Sequence, residues 1–249
     1  MMSSVLLWNK SIFNRWCEYS LLARCWAWKE KDGWWLFTIF SMEGVVVRRV
    51  IPSDNSCLFN AVGYVMDHDK KKAAELRQVI AATVASDPQK YCEAFLGKPN
   101  AEYCNWILDS EKWGGAIELA ILADYYGREI AAYDIQTTRC DLYGQESNYS
   151  ERVMLIYDGL HYDALVMSPV EEAPEEFDQT IFAVQMNRSI GPVERLALNF
   201  VKDQQRKRSY TDTSKFTLRC GVCQIGVVGQ KEAMEHAQAT GHVNFQEYR

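Results

Sequence analysis

The run "RVIPSDNSCLFNAVGYVM", from Arg49 to Met66, sets one cysteine in a chemically loaded position. Cys57 follows the polar turn Pro52-Ser53-Asp54-Asn55-Ser56 and precedes an amphipathic stretch with Leu58, Val62, Val65 and Met66 on one helical face. An ordinary thiol, with a pKa near 8.5, is mostly protonated at neutral pH, so a nucleophilic cysteine needs a lowered pKa or an adjacent base. A helix start favours thiolate through the dipole. Backbone N–H groups of the turn, joined by that of Cys57, can face a developing oxyanion. Asp54 can brace the turn by side-chain-to-backbone hydrogen bonds.

The base must be a histidine, and the chain has 4. His68 lies in the charged surface context "MDHDKKK", and His236 and His242 belong to a second cluster described below. His161, in "YDGLHYDALV", is left. Strand alternation puts it on the same face as Asp163, where a carboxylate can hold the imidazole tautomer. Set beside this is the plainer reading of a strand histidine next to a surface aspartate.

The second cluster is Cys220-x2-Cys223-x12-His236-x5-His242, the spacing of a two-cysteine, two-histidine zinc site. Four protein ligands close the tetrahedron, so the zinc is expected to be structural, with no open position for water. A unit of about 35 residues can hardly fold without it. A lone finger reads only about 3 bp, and "QKEAMEHAQAT" lacks the arginines of base readout, so a protein-binding role is expected.

The elements that must position these groups follow from pattern. "VVVRRVI" reads as a strand ended by Pro52, and "AAELRQVIAATVAS" as a helix. "SDPQKYCEAFLG" reads as a helix capped by Asp87, with Pro88 first, closing at Gly97. "GGAIELAILADYYG" is a helix stopping at Gly127; the strands "REIAAYDI" and "RVMLIYDGLHYDALV" follow, the latter with Asp158-Gly159 as a two-residue hairpin turn. This order predicts a compact α/β (α+β) domain with a small ββα finger. The expected division is a variable extension over residues 1–43, a catalytic domain over 44–170, a linker with a short strand and helix over 171–213, and the finger over 214–249. The acidic "PVEEAPEEFDQ" reads as solvated linker, and the basic "QQRKR" as a solvated helix end rather than a nuclear-import or RNA patch.

Composition limits the function classes. With 249 residues, 48% hydrophobic, the chain can bury a sizeable core. A net charge of −6 argues against a general nucleic-acid binder. The 8 scattered cysteines, without a convincing secretory signal, read as reduced thiols of the cytoplasm or nucleus. No uncharged apolar stretch reaches the roughly 18–20 residues of a membrane span. The first 41 residues hold 6 of the 8 tryptophans without a clean period; they read as an optional extension, or as an artefact of a start upstream of Met42, with a partner-binding arm as the rival.

Together "DNSCLFNA", "VASDPQKYCEAFLGKPNAEYCNWI", "KWGGAIELAILADYYGREIAAYDIQT" and "RVMLIYDGLHYDAL" resemble the ovarian-tumour (OTU) cysteine proteases, in the subgroup with a C-terminal zinc finger. The resemblance implies a papain-like fold and hydrolysis of the isopeptide bond at the ubiquitin C-terminal glycine, in polyubiquitin or ubiquitylated proteins. It implies Cys57 as nucleophile, His161 as base, Asp163 as its orienter and Asp54 as organiser of the cysteine loop. Gly114 and Gly115 are expected either to admit the substrate backbone or to pack before a helix, and Trp113 to belong to the groove or the core. Subgroup members carry a UBX-like domain that docks an AAA ATPase; with about 44 residues before the protease domain, that docking is not expected here. Two other functions are weighed: an idle ubiquitin-binding adaptor, against which the intact Cys57, His161 and aspartates speak, and a nucleic-acid-binding finger protein.

Overall fold

The computed structural model describes residues 44–212, 217–242 and 245–247, so the expectations for residues 1–43 lie outside the described residues. The main sheet begins with β1 (Val45–Arg49), followed by the helices α1 (Cys57–Asp67), α2 (Ala73–Ser86), α3 (Glu93–Leu96), α4 (Asn100–Leu108) and α5 (Ala116–Tyr126). The strands β2 (Glu129–Asp134), β3 (Cys140–Tyr143), β4 (Glu151–Tyr157), β5 (Tyr162–Ser168) and β6 (Phe182–Ala183) come next, then the helix α6 (Pro192–Arg206). The spatial order is β1-β5-β4-β2-β3, with β6 paired to the start of β4. Only β2 and β4 run parallel; the other pairs are antiparallel.

The central strands read as near-continuous apolar runs because both faces of the sheet are covered. Ile130, Ala132, Val153, Leu155, Ala164 and Val166 enter one core with α1, α2, α4 and α5. The alternate residues Ala131, Tyr133, Met154, Ile156 and Leu165 enter a second core, closed by Phe182, Ile190, Ala197 and Val201. The period of two thus splits each strand between two layers of packing.

That second core corrects the reading of 171–213 as a linker. Ala173, Asp178 and Thr180 are buried, and α6 lies against the sheet through Ala197 and Val201. Asp178 accepts both arms of Arg49, at 2.7 Å each, and the Tyr64 hydroxyl at 2.6 Å. An acidic run looks solvated in sequence, but one of its carboxylates, that of buried Asp178, answers an arginine partly enclosed beside the sheet. At the end of α6, the "QQRKR" run leaves Arg206 and Lys207 exposed, as a helix end would.

Two local readings also change. Asp87 and Pro88 open a turn, in which Asp87 Oδ1 accepts the Lys90 amide at 3.0 Å, and the helix starts only at Glu93. The connection between β4 and β5 is four residues by register, since Tyr157 pairs with Tyr162. Gly159 takes its positive φ of 102° inside that loop, and Asp158 Oδ1 accepts the Leu160 and His161 amides at 3.2 and 2.9 Å. The side chain of Asp158 therefore shapes the turn as much as Asp158-Gly159 does. Gly97 and Gly127 terminate α3 and α5 in the left-handed region, as read from sequence.

Candidate active site and metal centre

Cys57 is the first residue of α1, at the end of the turn that Asp54 organises. Asp54 Oδ1 accepts the Ser56 amide at 2.8 Å and Oδ2 meets Asn60 Nδ2 at 3.3 Å. The Ser56 amide is thereby consumed and cannot face an oxyanion. The Cys57 amide is held only by a long 3.4 Å contact to Asp54 O and is the better donor for that task. Asp54 touches the loop and the helix.

His161 sits in the turn immediately before β5. Its Nε2 lies 3.1 Å from Asp163 Oδ1 and 3.2 Å from Ile51 O, and among the described residues Nδ1 has no partner. One ring nitrogen is anchored and the other is left for a proton. Asp163 is fully buried and also accepts the Ile51 amide at 2.6 Å and Arg48 Nε at 2.5 Å. Tyr162, the residue after His161, packs on the same core as Cys57 and lines the same groove, which brings the β5 start against the α1 start.

The electrostatics correct one expectation. Burial pushes the Cys57 thiol above its ordinary pKa, and the nearby charges of Asp54 and Asp163 add to this. Hydrogen bonds from Tyr162 and Leu58 pull the other way without prevailing. The resting residue is therefore a thiol that needs a base, despite its helix-start position. In a His161→Ala variant, alkylation of Cys57 by iodoacetamide is expected to rise with pH through a midpoint above about 8.5. A midpoint at or below that value would show a thiolate stabilised by something other than His161.

A separate unit comprises β7 (Thr217–Cys220), β8 (Gly226–Val228), α7 (Gly229–Thr240) and β9 (Phe245–Glu247), with β7 central in its sheet. The third strand, β9, is an addition to the expected ββα pattern. Ligand atoms of Cys220, Cys223, His236 and His242 all lie within 4.8 Å of one another, and Cys223 Sγ is 3.4 Å from His236 Nε2. His242 Nδ1 is buried without a hydrogen-bond partner among the described residues. Burial opposes the Cys220 thiolate, but backbone hydrogen bonds from Cys223 and Val222 outweigh it and hold the thiol below its usual pKa. Two thiols and two imidazoles gathered this closely fit a tetrahedral d10 cation.

Residues 52–164 match the family of OTU-like cysteine proteases. Residues 214–248 match the C-terminal C2H2-type zinc finger of ubiquitin thioesterase OTU1. The chain is 79% identical over 208 residues to ovarian tumor domain-containing deubiquitinating enzyme 2 of Arabidopsis thaliana, covering 84% of this chain and 100% of that relative. The chain belongs to the OTU family of cysteine proteases. It is also 49% identical over 212 residues to ubiquitin thioesterase OTU1 of Danio rerio, covering 84% of this chain and 68% of the relative. For the human protein of that name the figures are 48% over 206 residues, with 82% and 58% covered. Among solved structures, an OTU domain in complex with ubiquitin aligns with a TM-score of 0.60 at 28% identity, over 68% of this chain and 92% of that one.

Beside Cys57 this OTU domain has a groove of about 320 Å³, lined among others by Asn55, Trp113, Gly115, Tyr157 and Leu160. Trp113 belongs to the groove rather than the core: it is 55% exposed, and its Nε1 donates to Asn55 Oδ1 at 2.6 Å. Both glycines line the groove, but they differ in what lies behind them. A Cβ on Gly114 would come within 2.8 Å of the Phe59 ring, so that glycine serves packing against α1. A Cβ on Gly115 would meet only Glu118 Oε2, at 3.9 Å, and otherwise faces open groove. Gly115→Val is therefore expected to keep the fold and raise KM about 10-fold or more, while Gly114→Val lowers the melting temperature through overpacking. Wild-type KM in Gly115→Val would show that the substrate does not pass this point.

Arg77 was not singled out from sequence. It is buried, and its NH2 lies 3.2 Å from Asn55 O, 3.0 Å from Ser56 Oγ and 2.7 Å from Lys112 O, so it ties the cysteine loop to the segment carrying Trp113. The guanidinium also rests on the Phe59 ring, 4.1 Å from its centroid. The available signal was an arginine on the apolar stripe of "AAELRQVIAATVAS", between Ala73, Ile80 and Val84.

Proposed function

We propose that this chain is a deubiquitinase, a thiol-dependent hydrolase of the isopeptide bond at the ubiquitin C-terminal glycine, acting on polyubiquitin and ubiquitylated proteins. The observation that carries the reading is the anchoring of His161 Nε2 on buried Asp163, with the adjoining Tyr162 lining the groove beside Cys57. His161 takes the thiol proton through its other nitrogen, and sulfur attacks the glycine carbonyl. The oxyanion faces the Cys57 amide. The amine leaves with the proton held by His161, and water then hydrolyses the thioester. Asp163 fixes the imidazole tautomer, and Asp54 holds the loop.

Cys220, Cys223, His236 and His242 would hold zinc, whose contribution is to fold a unit too small for a self-sufficient core. Free thiols at the described cysteines support work in the reducing cytoplasm, extending to the nucleus. Purified chain incubated with ubiquitin dimers is expected to release ubiquitin ending in a free carboxylate, identified by mass, and pretreatment with iodoacetamide should stop it. Binding without cleavage of any dimer would favour the adaptor reading.

The finger and the hydrolase are expected to separate, but not at residue 200. A cut there removes Val201 from the second core, and also Thr211, whose amide donates to Asp158 O at 2.7 Å at the base of the His161 turn. A chain ending at residue 212 should cleave a minimal ubiquitin substrate at close to the full rate, whereas one ending at residue 200 should melt at lower temperature and lose most turnover. Chelation, or Cys220→Ala, should resemble the cut at 212, with losses confined to longer chains or natural targets that use a second contact. Equal collapse on the minimal substrate would show that the finger supports the hydrolase fold.

A further inference from the structure

Arg48 touches both groups that hold His161. Its Nε donates to Asp163 Oδ2, and its NH2 lies 3.3 Å from Asp158 Oδ2. The other oxygen of each carboxylate is committed to the histidine: Asp163 Oδ1 to the ring and Asp158 Oδ1 to the backbone amide, at 3.1 and 2.9 Å. One guanidinium therefore spans the turn from its first residue to the second residue of β5. Arg48 is not among the residues that line the groove, and the two bonds its side chain makes run to Asp158 and Asp163. Neighbouring Arg49 makes a comparably dense set of bonds, but to Asp178, Ser168 Oγ and Ala173 O, away from His161.

We infer that Arg48 is a positioning residue for catalysis, clamping Asp158 and Asp163 so that the His161 ring is held at its working angle. A planar fork with donors on separate nitrogens can bind two carboxylates at a fixed separation, which a lysine ammonium cannot do in the same way. A buried carboxylate whose cation is removed seeks other partners or water, and His161 is the group that would follow. The inference rests on the proposed Cys57–His161–Asp163 chemistry for its kinetic arm, but its spectroscopic arm does not.

The test compares Arg48→Met, Arg48→Lys and Arg49→Met in the full chain, on a fluorogenic ubiquitin substrate and by NMR of 15N-labelled histidine. Arg48→Met is expected to lower kcat about 100-fold with KM within about 3-fold, since a misplaced catalytic group costs rate rather than binding. The His161 Nε2 proton signal should broaden or shift in the same variant. Arg48→Lys should recover roughly 10-fold of the loss. Arg49→Met should lower the melting temperature while leaving the His161 signal and the kcat of the folded fraction as in wild type. Arg48→Met with wild-type kcat, or with an unchanged His161 signal, would overturn the inference. If Arg48→Met does not fold, Arg48→Lys carries the test, and its identity with wild type in both readouts would overturn it. Absence of cleavage by the wild-type chain would count against the proposed function instead, with the His161 signal still deciding the role of Arg48.

Discussion

Cys57→Ser is expected to reduce ubiquitin release by at least about 10^4-fold, because removal of a nucleophile disables the whole unit it serves. A hydroxyl is a much weaker acid than a thiol and a poorer nucleophile at neutral pH. Ubiquitin carrying a C-terminal electrophile should form one covalent adduct with the wild-type chain and none with the variant. Cys92, Cys104, Cys140, Cys220 and Cys223 are free in the described structure, but none combines the start of a helix with the neighbourhood of His161. Intact-mass analysis after labelling decides the point: an adduct that survives Cys57→Ser would remove Cys57 from the mechanism.

Asp163→Asn is expected to lower kcat by about 10^2- to 10^4-fold: both carboxylate oxygens accept hydrogen bonds, so the amide NH2 must face either His161 and the Ile51 amide or Arg48. Asp163→Ala should do more than the loss of turnover expected from a mere orienter. It leaves Arg48 without its buried partner and the buried Ile51 amide without its acceptor. Arg48 is partly exposed and keeps Asp158, so the loss should fall below the roughly 3–5 kcal/mol of a fully buried pair, but the alanine variant should still melt earlier. Asp54→Ala frees the Ser56 amide and weakens the loop, with a smaller stability loss of about 1–3 kcal/mol for the unsatisfied donor. The comparison to make is kcat, ubiquitin affinity and melting temperature for the three variants. A fully active Asp163→Asn enzyme would assign the orienting role elsewhere, and Asp54, which contacts Ser56 and Asn60, is not placed to take it.

A good part of this molecule was legible in the order of its residues. A helix start after a polar turn is a local property, so Cys57 and its loop could be read directly. Spacing that brings ligands together through one hairpin and one helix is also local, which is why Cys220, Cys223, His236 and His242 stood out. Asp163 lies two residues from His161, and strand alternation was enough to pair them. The resemblance then gave these groups a common chemistry.

What the tertiary structure alone decided concerns partners far apart in the chain and the burial that forces them together. Arg48 and Asp163 are separated by 115 positions, Arg49 and Asp178 by 129, and no local period connects either pair. The acidic 171–180 stretch looked solvated because sequence shows charge, not the distant arginine that draws Asp178 into the interior. The four-residue turn before β5 was set by sheet register, which fixes where β4 and β5 stop pairing. Gly114 and Gly115 are identical in sequence and both line the groove, and only the approach of the Phe59 ring makes Gly114 a packing point as well. The thiol of Cys57 likewise owes its raised pKa to the enclosure around it, a quantity that depends on every element packed there and not on its place at a helix start.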